Sequence, residues 1–263
     1  VLRYDDRGVG KSTGSLEAAT TLDFAEDVRA ALALLRKRPD VDARRLGLVG
    51  HSEGALVAPL AANREADVAF VVLLAGTGVP GEQVLQEQVS QLTKASGLGP
   101  EIAAQQKGVQ QALFAILRQE NDPAVARRKL ADVIAPALAQ VPEGQRAAAV
   151  EAQVRNALSP WLRHFISYDP MPALRALKCP ALALYGEKDL LVPPSLNAGP
   201  VEEALKAAGR AESSVRVLPG LNHMFQTGGS GLPSEYGTIE ETMSPAALHA
   251  ISEWIRERIK TAG

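Results

Sequence analysis

One serine in this chain stands in a pentapeptide suited to nucleophilic chemistry, Gly50-His51-Ser52-Glu53-Gly54. A serine hydroxyl is a poor nucleophile until a base removes its proton and the backbone exposes it. A sharp turn from strand to helix does the second job, and flanking glycines let the backbone close up there. The same turn sets Ser52 at a helix start, where backbone N–H groups can receive a developing oxyanion. The backbone N–H of Glu53 is the expected first donor. Its carboxylate is expected to pair with a neighbouring base, with capture of a substrate amine as the alternative.

The base and its orienting acid come from later segments. An apolar run over residues 181–185 leads into Gly186-Glu187-Lys188-Asp189, and a second over 215–218 leads into Pro219-Gly220-Leu221-Asn222-His223. An acid just past a strand end can fix a histidine tautomer, and a histidine on the next such loop can act as general base and then general acid. Either residue alone reads as an ordinary loop side chain. Together they give Ser52, Asp189 and His223 in the chain order Ser, Asp, His, which separates one triad architecture from the two other well-known ones.

These residues need a rigid frame, and the hydrophobic pattern supplies one. Residues 1–4, 46–49, 68–75, 181–185 and 215–218 read as strands. The continuous apolar run at 68–75 suits a strand buried on both faces. Residues 22–36, 52–62 and 248–259 carry helix-spaced apolar positions. Strands alternating with helices predict an α/β fold, a mostly parallel sheet with helices on both faces. Residues 81–165 break the alternation. They hold helical patterns at 101–118, 124–138 and 145–158 and no convincing strand, and the stretch is too long for one crossover. The expected organisation is a core of residues 1–80 and 166–263 with a helical cap inserted at 81–165. Leu113, Leu117, Trp161 and Phe165 are the candidate lining of an apolar substrate pocket under it.

Composition narrows the alternatives. The chain has 263 residues, 46% hydrophobic and 22% charged, with a net charge of −2. The basic residues are dispersed, which argues against a nucleic-acid partner. No apolar run approaches a membrane span. Cys179 is the sole cysteine, so no internal disulfide forms, and its apolar surroundings predict a buried structural thiol. Gly10-Lys11-Ser12 ends like a phosphate-binding loop, but Asp5 occupies the position of that motif's first glycine, and Thr13 replaces the third glycine of a dinucleotide fingerprint. A turn held by Asp and Arg side chains is the better reading. His51, His164 and His249 have no metal-ligand spacing, and no metal or cofactor is expected. His51 is expected to leave the turn away from the nucleophile and to pack structurally.

Tyr4-Asp5-Asp6-Arg7-Gly8-Val9-Gly10-Lys11-Ser12, the pentapeptide at Ser52 and the loops at Asp189 and His223 resemble the α/β-hydrolase superfamily. The likeness leans towards bacterial carboxylesterase and serine-aminopeptidase-like members, and residues 221–226, 233–236 and 239–242 carry it further. It implies hydrolysis of a small-molecule ester through an acyl-enzyme, with peptide or amide hydrolysis by the same triad and a non-catalytic binding module as alternatives. It also implies strands and a glycine-rich oxyanion loop ahead of Val1. A fragment of a longer hydrolase, weakened in stability and activity, is therefore expected. Oligomeric state is open, as is the choice between cytoplasm and export.

Overall fold

The computed structural model describes residues 1–260. Helix α1 (Thr21–Arg36) opens the regular structure. The Asp23 carboxylate accepts from the backbone N–H and the hydroxyl of Thr20, both at 2.8 Å, which satisfies its first turn. Strands β1 (Gly47–His51) and β2 (Phe70–Leu74) flank α2 (Gly54–Arg64). Five helices follow without a strand: α3 (Gly81–Ala95), α4 (Pro100–Gln119), α5 (Pro123–Ala137), α6 (Glu143–Ala157) and α7 (Pro160–Ser167). The short α8 (Met171–Arg175) leads to β3 (Ala181–Gly186), α9 (Pro194–Ala207), β4 (Ser214–Leu218) and α10 (Pro245–Lys260).

The four strands form one parallel sheet in the order β1-β2-β3-β4. Every residue of β2 and β3 is buried, as their unbroken apolar sequences require of central strands. The edge strands β1 and β4 are half exposed, and Val49 is 55% exposed. The main core runs from Phe70, Val72 and Leu73 through Leu182 and Leu184 to Trp254. Trp254 of α10 meets the Phe70 ring edge-on at 6.1 Å. Gly47 lies under that ring, where a Cβ would come within 2.2 Å of it.

The helical block between β2 and β3 has an apolar cluster of its own, in which Phe114, Leu117, Leu130, Ile134, Val154 and Ile166 are buried. Three of its helices lie within one or two residues of the periodic patterns. Pro100 and Pro123 set the starts of α4 and α5, and Pro160 does the same for α7. The periodicity did not resolve α3 and α7 individually.

Residues 1–4 are not a strand, against expectation; they carry no regular structure and are exposed. A strand needs a ladder, and their backbone pairs with none among the described residues. Leu2 and Tyr4 border a cavity beside Ala30, Ala31 and Leu34 of α1 instead. Arg7 fastens the following loop to α1, reaching Asp27 through two bonds of 2.8 and 2.7 Å and Asp23 at 3.3 Å. The Asp5 carboxylate accepts from the Lys11 N–H at 3.2 Å and fills the space beside Gly10. That is the acid-stabilised turn expected there. Burial pushes the Cys179 thiol up to about 11, as suits a structural cysteine. Among the described residues no helix is long and apolar enough to cross a membrane.

Candidate functional site

The turn after β1 is strained at Ser52, whose φ is +55°. A non-glycine residue held there is a mark of functional backbone. The Ser52 N–H donates to the Leu74 carbonyl at 2.8 Å, which locks the turn to the end of β2. Gly50 is sterically required, because a Cβ there would lie 1.9 Å from the Gly54 carbonyl oxygen. Gly54 differs from expectation. A Cβ on it meets nothing within 4 Å, so only one of the two flanking glycines is demanded by space. The Glu53 N–H, at the start of α2, donates to no partner among the described residues.

Asp189 and His223 come together. The Nδ1 of His223 lies 2.8 Å from Oδ2 of Asp189, and both side chains are buried. The other carboxylate oxygen of Asp189 accepts from the N–H groups of Leu191 and Val192 at 2.9 and 2.8 Å. A carboxylate opposite Nδ1 assigns the proton to Nδ1 and leaves Nε2 as the basic nitrogen. The His223 loop is itself braced. Asn222 is fully buried, and its Oδ1 accepts from the N–H groups of Met224 and Gln226 at 2.9 and 3.0 Å. Lys188 and Glu187 tie the acid loop to the histidine loop through the carbonyls of Gly228 and Gly229 and the N–H of Gly220.

The Ser52 hydroxyl makes no hydrogen bond among the described residues, to His223 or to any other group. Such bonds are often long in unliganded enzymes and tighten with substrate. The link between the two loops runs through His51. Its Nε2 lies 2.9 Å from the His223 carbonyl oxygen, and the two rings are 4.7 Å apart. A carbonyl only accepts, which assigns the His51 proton to Nε2. Burial lowers the His51 pKa from its ordinary value, with the His223 carbonyl opposing that shift.

The Glu53 carboxylate does not pair with a base. Its Oε1 accepts from the Thr21 hydroxyl of α1 and from the Trp161 indole N–H of α7, both at 2.7 Å. The four pocket candidates divide. Leu117 and Phe165 are buried, with Leu117 inside the apolar cluster of the helical block. Leu113 and Trp161 line a cavity of about 720 Å³ together with Leu158, Leu162 and Arg155. A second cavity, of about 470 Å³, holds Ser52 itself and is walled by Phe24, Val28, Leu48, Val49 and His51. Among the described residues no three His, Cys, Asp or Glu side chains are grouped to hold a metal ion.

Three contributors escaped the sequence reading: His51 as a hydrogen-bond donor, Asn222 as a brace, and the Thr21–Glu53–Trp161 group. Asn222 carried a usable signal, since Asn side chains bond backbone two residues on. The other two depend on contacts between residues more than thirty positions apart and left none.

A sequence profile described as the alpha/beta hydrolase family matches residues 1–228. No curated protein matches the chain. Among solved structures, the chain is similar to a proline iminopeptidase from Mycobacterium smegmatis at 16% identity and a TM-score of 0.52, covering 99% of this chain and 80% of that one. It is also similar to the esterase RhEst1 from a Rhodococcus species at 22% identity and a TM-score of 0.45, covering 97% and 78%.

Proposed function

The chain belongs to the alpha/beta hydrolase family, and on that premise we propose that it is a serine hydrolase that cleaves carboxylic esters through an acyl-enzyme on Ser52. The observation that carries this reading is the buried His223–Asp189 bond of 2.8 Å, on loops that follow neighbouring strands at the sheet end where Ser52 is held at a positive φ.

In this reading His223 Nε2 takes the Ser52 proton as Oγ attacks the ester carbonyl. The carbonyl oxygen becomes an oxyanion and accepts from the Glu53 N–H. Asp189 holds the tautomer and balances the imidazolium. The tetrahedral intermediate collapses, the proton on Nε2 passes to the leaving alcohol, and the acyl group stays on Ser52. A water molecule, deprotonated by the same nitrogen, then releases the acid and restores Ser52. Residues 81–165 serve as a cap, with Leu113 and Trp161 facing the substrate.

A fluorophosphonate probe tests the nucleophile. Labelling of the wild-type chain that disappears in Ser52→Ala is expected, and an unlabelled chain would favour a non-catalytic binding module. A panel of p-nitrophenyl acyl esters beside aminoacyl-anilides tests the bond cleaved. Faster turnover of the anilides would replace the esterase reading with a peptidase one.

A further inference from the structure

Glu53 occupies an unusual position. Its backbone N–H is the proposed oxyanion donor, while its side chain is held by two other elements. One oxygen, Oε1, receives both the Thr21 hydroxyl and the Trp161 indole N–H at 2.7 Å. Thr21 is fully buried in the first turn of α1, where the helix dipole favours a carboxylate. Trp161 lies in the first turn of α7 and is itself fixed, because its ring stacks on Phe165 at 5.0 Å and 11°. Phe165 in turn packs tightly on Gly81 of α3, where any Cβ would meet its carbonyl oxygen at 2.1 Å. One residue thus joins the nucleophile turn, α1 and the helical block.

A carboxylate with two short donors has a fixed position, and Glu53 is the N-cap of α2, the residue whose own N–H is the proposed oxyanion donor. Catalysis by such a donor depends on its placement before the reaction starts. We infer that Glu53 and Trp161 are positioning residues, and that the seating of α7 against Glu53 sets the aim of the oxyanion donor beside Ser52. The inference rests on the reading of Ser52 as nucleophile. Trp161 also walls the cavity of about 720 Å³, so a substrate chain lodged there touches the residue that holds the donor in place.

Trp161→Phe removes the N–H and keeps a stacking ring. Glu53→Gln keeps an accepting oxygen, and Glu53→Ala removes it. With p-nitrophenyl acetate as substrate, Trp161→Phe and Glu53→Ala are expected to lower kcat about tenfold, the scale of a small misplacement of a reacting group. KM should stay within about twofold, since the donor acts chiefly in the transition state. The inhibition constant of an aryl trifluoromethyl ketone, whose adduct with Ser52 carries an oxyanion, should weaken by the same factor as kcat/KM. Glu53→Gln should keep most of the wild-type rate. The double variant should fall no further than either single one.

A merely structural role would lower thermal stability without moving the ketone affinity in step with kcat/KM, and that result would overturn the inference. An additive double variant would do the same. Should Trp161→Phe fail to fold, Glu53→Ala against Glu53→Gln carries the comparison. Wild-type Ser52 labelled by fluorophosphonate, with all three variants unchanged, sinks this inference alone. An unlabelled wild type sinks the nucleophile reading with it.

Discussion

The Nε2 of His51 donates to the carbonyl oxygen of His223 across 2.9 Å, joining the strand that ends at the proposed nucleophile to the loop that carries the proposed base. β1 and β4 are the two outer strands of the sheet, so this contact spans its whole C-terminal end. His51→Ala is expected to lower kcat about tenfold by loosening that loop, with little change in KM. His51→Gln, whose amide can still donate, should recover part of the loss. Steady-state kinetics of the two variants decide the point, and equal rates for Ala and wild type would remove His51 from the site.

Asp189 accepts from His223 with one oxygen and from two backbone N–H groups with the other. Asp189→Asn cannot satisfy all three donors, because its NH2 group must face one of them. Turned towards His223, it forces the proton onto Nε2 and removes the base. The expected loss in kcat is on the order of 10⁴-fold, with the circular-dichroism spectrum unchanged. A loss of only a few-fold would mean that another acid orients the histidine.

The sequence displayed chemistry better than it displayed connection. The turn at Ser52 and the two later loops were legible as turns because each follows a short apolar run, and the central runs could only be buried strands. Three helices of the 81–165 block, α4, α5 and α6, were legible from their period, whereas α3 and α7 were not. Contacts made by single side chains between distant elements were not legible. His51 was expected to leave the turn away from Ser52 and pack structurally, but the partner it packs on, the His223 ring at 4.7 Å, was not foreseen. Nothing local to residue 51 encodes where the loop after β4 folds back. The Glu53 carboxylate was likewise assigned to a base, whereas a threonine and a tryptophan from two other helices take it. Residues 1–4 failed for a related reason, since β-branched and aromatic residues suit a strand but the ladder must come from elsewhere.

The two glycines around Ser52 should respond in opposite ways to the same substitution. Gly50→Ala drives a methyl group into the Gly54 backbone at 1.9 Å, and backbone cannot step aside as a flexible side chain can. A cost of about 1–3 kcal/mol or more is expected, read as a lower urea midpoint. Gly54→Ala meets no atom within 4 Å and lies in the first turn of α2, where alanine reduces the freedom of the unfolded chain. A gain of about 0.4–1 kcal/mol is expected. Destabilisation by Gly54→Ala would show that the open space beside it is needed for another reason.

Two half-buried histidines should make the fold sensitive to mild acid. Burial is the largest cause lowering both His51 and His164 from the ordinary value of 6.5. His51 faces the His223 carbonyl and Asp189, which favour its charged form, and the His223 ring, which opposes it. His164 faces Glu53 and Asp23, and both favour the charge, yet burial outweighs them. Below 6.5 the unfolded chain binds these protons while the folded chain still excludes them. Stability is therefore fully present above 6.5 and falls as pH drops from there towards the lowered folded-state values. The carboxylates held by arginines lose their contribution only at more acidic pH, because their folded values are lowered from 4.5 or 3.8. Urea midpoints at pH 7.5 and 5.5 should differ in the wild type, and the difference should shrink in His51→Gln and in His164→Gln. An equal drop in all three proteins would assign the acid sensitivity to other groups.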